Sequence, residues 1–198
     1  MGKNILFSIL IFLLLPLTSY PVAQSTDQLS AKVEEPIIDA KQLDKRAQIL
    51  KEYLQRYDSA LQYHAQDFVD AADANGIDWK LVPAISGVES TFGQVIPGGY
   101  NAWGWGVYGD QALGFNSWTE GIFTVSQGLK QNYINKGLTE PLAMNRIYAA
   151  SPTWGSKVNY FLKDLDQFTK VYNDKNSRKI SSLLHKTAGI SAQLASEN

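Results

Sequence analysis

From residue 39 onward, apolar positions recur at three- and four-residue spacings, the period of helices with one buried face. In the first stretch Leu43, Ile49, Leu50, Tyr53, Leu54, Tyr57 and Leu61 are separated by charged residues, predicting a helix over 39–60. Ser59 is a candidate N-cap for a second helix through Ala65, Phe68, Val69 and Ala72, which Gly76 can end in the left-handed conformation. Asp78 can cap a third helix, where Pro83 is tolerable only in or near the first turn. Leu81, Val82, Ile85 and Val88 form its apolar face, and Glu89 borders that face at the C-terminal end. Ser117-Trp118-Thr119-Glu120 has the form of a capping box, opening a helix through Ile122, Val125, Leu129 and Tyr133 to Gly137. A short helix after Pro141 carries Leu142, Met144, Ile147 and Tyr148. Ser151 and Pro152 then supply an N-cap and first-position proline for a last helix with Val158, Phe161, Leu162, Leu165 and Phe168 inward.

The period fails between the third and fourth helices. Residues 93–114 are rich in glycine and include Pro97 and the aromatics Tyr100, Trp103, Trp105 and Tyr108, so they predict a loop or a short β-hairpin. Residues 173–198 are polar and rich in serine and lysine, which reads as a disordered tail, although Leu183 and Leu184 allow a weak helix. The fold class is therefore mainly α. The first helical stretch has an alternative reading as a short coiled coil forming a dimer. Its brevity and its merging into core helices favour a core helix and a monomer.

The N-terminus changes the picture of location. Lys3 followed by the apolar run from Ile5 to Leu17 has the form of an export signal. The run is short of the roughly 20 residues a spanning helix needs. Small residues at Ala23-Gln24-Ser25 offer a cleavage point, which makes 1–25 a signal peptide and 26–38 a polar linker. An uncleaved signal, the alternative, would be the chain's one membrane contact. Either way the folded part is expected to be exported, to the cell exterior, the wall or the periplasm. With Lys3 the one charge in that segment, the 18 basic and 19 acidic residues of the chain leave no basic footprint for nucleic acid. There is no cysteine and there are two histidines, so a disulfide framework is excluded and neither a metal nor another cofactor is expected.

Two features remain that could carry chemistry. Glu89 lies beside an apolar face and at the negative end of a helix dipole, and both raise a carboxyl pKa toward that of a general acid. The five tryptophans all fall between Trp79 and Trp154. Trp79 and Trp118, at helix starts, read as packing residues. Trp103 and Trp105, between glycines, could line a groove and stack on sugar rings. Glu120 has a structural explanation in the capping box, and Glu140 reads as an early-helix charge. Asp110 is the candidate for a second carboxylate.

Glu89-Ser90-x-Phe92-Gly93 resembles the Glu-Ser motif of the lysozyme-like superfamily. Tyr100-Asn101-Ala102-Trp103-Gly104 and Tyr148-Ala149-Ala150-Ser151-Pro152-Thr153-Trp154 resemble two elements of one branch, the bacterial glucosaminidases of glycoside hydrolase family 73. The likeness spans roughly Phe68 to Phe168 within a domain of 39–172. It implies a lysozyme-like helical fold and a groove for the β-1,4 glycan strands of peptidoglycan. It implies endo-β-N-acetylglucosaminidase activity with Glu89 as general acid and Tyr148 stabilising the oxocarbenium-like transition state. Ser90, Tyr100, Asn101, Trp103, Trp105 and Trp154 are the substrate-binding candidates. Ala150-Ser151 departs from the family's Thr-Asp, so that aspartate's role is absent or met elsewhere. A lytic transglycosylase is an alternative, although that branch's further motifs are missing. The same residues also allow a non-catalytic glycan-binding module on this fold, or a helical adaptor dimerising through 39–61. His64 and His185 have no nucleophile partner, and Gly104-x-Gly106 lacks the strand–helix context of a dinucleotide site.

Overall fold

The computed structural model describes residues 43–96, 98–106 and 113–196, with the backbone alone from 189 onward. The signal and linker readings, Tyr108 and Asp110 lie outside the described residues. The architecture is mainly α, with no strand among the described residues, so the hairpin alternative is not seen in that part of the loop. The helices are α1 (Lys45–Gln55), α2 (Ala65–Asn75), α3 (Leu81–Ser90), α4 (Trp118–Asn132), α5 (Pro141–Tyr148) and α6 (Trp154–Ser196). Short 3₁₀ turns at Ala60–His64 and Ile134–Lys136 precede α2 and follow α4.

Local chemistry sets most boundaries. Asp44 accepts the Arg46 N–H at 2.7 Å and opens α1, so Leu43 precedes the helix instead of belonging to it. Ser59 does cap, but it caps the 3₁₀ turn, accepting the Leu61 N–H while donating to Phe92 O at 2.6 Å. Gly76 ends α2 at φ 59°. Asp78 accepts the Lys80 N–H and shapes the turn ahead of α3, with Pro83 inside the first turn. In the capping box, Ser117 accepts the Glu120 N–H, while Glu120 reaches back one residue further than the usual motif, to the Asn116 N–H at 2.8 Å. α6 begins at Trp154, two residues later than the proline-first reading, because Ser151 O receives the Trp154 N–H and residues 152–153 form a turn.

The apolar faces converge as expected. α3 is buried nearly all round its first two turns and packs between α6 and α4, while α2 lies on α4 and α5 on α6. Leu50, Leu54, Leu61, Phe68, Ile85, Trp103, Ile122, Leu129, Met144 and Leu165 form the fully buried centre. Burial of each such side chain stabilises the fold by about 1.5–3 kcal/mol. The disordered-tail expectation is corrected: α6 stays helical through Ser196, past the last packed turns at Phe168 and Tyr172. Its residues from 177 to 188 are exposed. Adding residues to an established helix costs far less than nucleating one, and no proline interrupts this stretch.

Candidate functional site

α3 ends in a sharp reversal. Thr91, Phe92 and Gly93 take φ 53°, 57° and 81°, turning the chain back so that the Phe92 ring lies over Gly87. A Cβ on Gly87 would meet that ring at 2.7 Å, so the reversal needs glycine there. Ser90 Oγ lies 2.7 Å from Ala102 O and 3.0 Å from Ser86 O, and accepts the Gly93 N–H at 2.8 Å. Ser90 is 4% exposed with its polar capacity consumed, so it joins α3 to the following loop and does not face a ligand.

That loop is organised by Asn101. Its amide Nδ2 donates to Trp105 O and Leu113 O, both at 2.8 Å, and its Oδ1 accepts the Trp103 and Trp105 N–H groups. Asn101 is buried and acts as the loop's internal scaffold, a correction to the expectation that it binds substrate. Trp103 is corrected too. Its ring is fully buried among Phe68, Phe115 and Trp118, and its Nε1 donates to Val82 O at 3.1 Å. Exposing it to a sugar would forfeit roughly 2–3 kcal/mol of burial.

Two glycines on one face of α4 seat the loop tryptophans. A Cβ on Gly121 would lie 2.6 Å from the Trp103 ring, and one on Gly128 would lie 2.2 Å from the Trp105 ring. Trp105 is half-buried, with Tyr133 and Tyr148 at ring-centroid distances of 6.4 and 5.9 Å. These three, with Gly104, Asn132 and Lys136, line an open groove of about 470 Å³. The periodicity marks Tyr133 only as a core residue, and Asn132 and Lys136 carry no sequence signal. The seven-residue spacing of Gly121 and Gly128 along α4 is the sequence trace of this arrangement.

Glu89 does not line the groove itself but adjoins it through Gly104. It is half-buried, and its Oε1 accepts the Trp154 indole N–H at 2.6 Å. Oε2 faces Gly104, where a Cβ would approach to 3.0 Å. Burial raises the Glu89 pKa above the ordinary carboxylate value, and the indole hydrogen bond opposes that rise. Tyr148 donates its hydroxyl to Trp103 O at 2.7 Å and stacks on Trp154 at 4.3 Å and 17° between planes. Burial first, then the neighbouring Glu89 charge, push the phenol well above its usual pKa, so it stays neutral. Trp154 itself is 2% exposed, with one face on Tyr148 and its N–H on Glu89. It offers no ring to a ligand, a correction to its place among the substrate-binding candidates. Tyr100 does have an exposed ring, packed edge-on against Trp118.

The structure thus brings Glu89, Tyr148, Trp105 and Trp154 together and places Ser90, Asn101 and Trp103 behind them. His64 is tied to Asp67 at 2.9 Å, with Thr119 also donating to Asp67, and fastens α2 to α4. Among the described residues no cluster of histidine, aspartate and glutamate could hold a metal ion. The sequence matches no protein-family model and shows no significant similarity to a curated protein.

Proposed function

We propose that this chain is an exported cell-wall glycosidase of lysozyme-like type, hydrolysing the β-1,4 glycan of peptidoglycan at N-acetylglucosaminyl bonds. The observation that carries the reading is Glu89: a carboxyl of raised pKa, hydrogen-bonded on one oxygen, with the other against Gly104, which lines an aromatic groove. A pKa raised by burial shifts the carboxyl toward holding its proton at higher pH, the direction a general acid needs. The half-buried Trp105 supplies an apolar ring in the groove for a sugar face.

A single carboxyl is mechanistically sufficient when the sugar bears a 2-acetamido group. In that route the acetamido oxygen bonds to the anomeric carbon as the glycosidic bond breaks, and the departing oxygen takes the proton of Glu89. Water then attacks the anomeric carbon, expels the acetamido oxygen and returns a proton to the Glu89 carboxylate. Tyr148, neutral and with acceptor capacity left on its hydroxyl oxygen, suits a neighbour of the electron-poor anomeric centre.

The test is Glu89→Gln on purified peptidoglycan, with reducing ends counted and products identified by mass spectrometry. Loss of nearly all activity in a normally folded variant is the expected result, and full retention would overturn the assignment. New reducing N-acetylglucosamine ends are expected. Anhydro-muramyl products would point to the transglycosylase branch, and binding without products to a non-catalytic module.

A further inference from the structure

We propose that Trp154 is a positioning residue that assigns the transferable proton to one oxygen of Glu89. This rests on the reading of Glu89 as the general acid. An indole N–H can only donate. At 2.6 Å it occupies Oε1, and the carbonyl-type oxygen of a carboxylic acid accepts a hydrogen bond far better than its hydroxyl oxygen. The acid proton therefore resides on Oε2. That oxygen faces Gly104, which lines the groove with Trp105 and Tyr148. Gly104 carries no side chain of its own, so a glycosidic oxygen held over it would meet the protonated oxygen.

The surroundings hold Trp154 in place. Its ring is stacked on Tyr148, whose hydroxyl is anchored to Trp103 O. The corner between α5 and α6 is clamped by Asn145, which donates to Ser151 O at 2.7 Å and accepts the Gly155 N–H at 2.8 Å. Gly155 lies so close to α5 that a Cβ there would meet Pro141 O at 2.7 Å. With both the ring and the corner fixed, the indole N–H is pre-organised toward Glu89.

The same bond favours the reaction. Once Glu89 has given up its proton, the N–H faces a carboxylate, and a charge-assisted hydrogen bond is stronger than a neutral one. Trp154 thus stabilises the state that forms during proton transfer more than the resting acid. Burial favours the protonated form, and the indole hydrogen bond favours the proton's departure. Among the described residues, the titratable group facing Glu89 is the Tyr148 phenol, with Tyr133 behind it.

The test uses the full chain with ¹⁵N-labelled tryptophan, following the indole resonances from about pH 4 to pH 9. Trp154→Phe identifies the Trp154 resonance and preserves an aromatic ring against Tyr148. The expected result is an indole signal that titrates with Glu89 in the wild type and becomes pH-independent in Glu89→Gln. If Trp154→Phe does not fold, the Glu89→Gln comparison still decides, because one indole must lose its pH dependence. Kinetically, Trp154→Phe should lower kcat roughly ten-fold with KM little changed. It should move the alkaline limb of the pH profile upward, since the bond that lowers the Glu89 pKa is gone. An indole blind to the titration, or an unmoved alkaline limb, overturns the proposal even if Glu89→Gln is inactive. An active Glu89→Gln overturns the general-acid reading instead and leaves the hydrogen bond standing.

Discussion

Gly104→Ala isolates the contribution of the open face of Glu89, because the molecule contains its own control. Gly104 and Gly76 have nearly the same left-handed backbone, φ 58° and 59°. A Cβ on Gly76 would meet nothing within 4 Å, whereas one on Gly104 would sit 3.0 Å from Glu89 Oε2. Alanine at either position carries the left-handed penalty of about 1–2 kcal/mol. For a domain of this size that lowers Tm by roughly 3–6 °C, measurable by circular dichroism or calorimetry. The two variants should therefore lose similar stability, since the Glu89 carboxyl lies at the end of a flexible side chain and can shift by a few tenths of an ångström. That shift is harmless to the fold but not to the chemistry. A misplacement of 1 Å can cost about a hundred-fold in rate, so a few tenths predicts a loss of roughly ten-fold. Clearing of purified peptidoglycan, with reducing ends counted, should show Gly76→Ala near wild type at a temperature where both variants are folded. Equal activities would refute the reasoning, showing either that Oε2 is not the working oxygen or that it tolerates displacement.

Glu89→Gln should stabilise the chain at neutral pH while abolishing activity. Between the ordinary carboxylate pKa and the raised folded value, the unfolded chain has lost a proton that the folded chain keeps, so wild-type stability declines as pH rises through that window. The Tm advantage of Glu89→Gln should accordingly grow from acidic to neutral pH. Gly128→Ala forces a methyl to within 2.2 Å of the Trp105 ring and should cost about 1–3 kcal/mol by overpacking, raising KM for glycan through the displaced indole. Tyr148→Phe removes the tie to Trp103 O and should lower both Tm and rate, the stability part amounting to about 1 kcal/mol. Tyr53 donates to Asp164 at 2.8 Å and thereby binds α1 to α6, far from Glu89 in the chain. Tyr53→Phe should cost about 1 kcal/mol in chemical denaturation and leave activity per folded molecule unchanged.

The helices are legible because each is specified within one or two turns. Leu81, Val82 and Ile85 repeat at the helical period, Gly76 takes the left-handed exit from α2, and Ser117 caps α4. The departures have equally local causes. Asp44 starts α1 later than periodicity suggests, and Ser151 O holds the chain in a turn before α6. Composition misleads at the tail because it registers how little apolar surface a segment can bury. It does not register that an existing helix extends cheaply.

The candidate site divides along the same line. Sequence alone determined that a glutamate closes an apolar helix ahead of a glycine- and tryptophan-rich loop. Its raised pKa follows from that setting. Which aromatic residues face a groove was settled only by tertiary packing. Trp103 and Trp105 are two residues apart in the same loop and both sit on a glycine of α4, yet one is fully buried and the other lines the groove. Nothing in their immediate neighbourhood distinguishes them. The difference comes from Phe68, Phe115 and Trp118, which enclose Trp103, and the partner of Glu89 is Trp154, 65 residues downstream. Local rules act over a few residues of chain. The seat of a ring and the donor for a carboxyl depend on which helices the buried faces bring together.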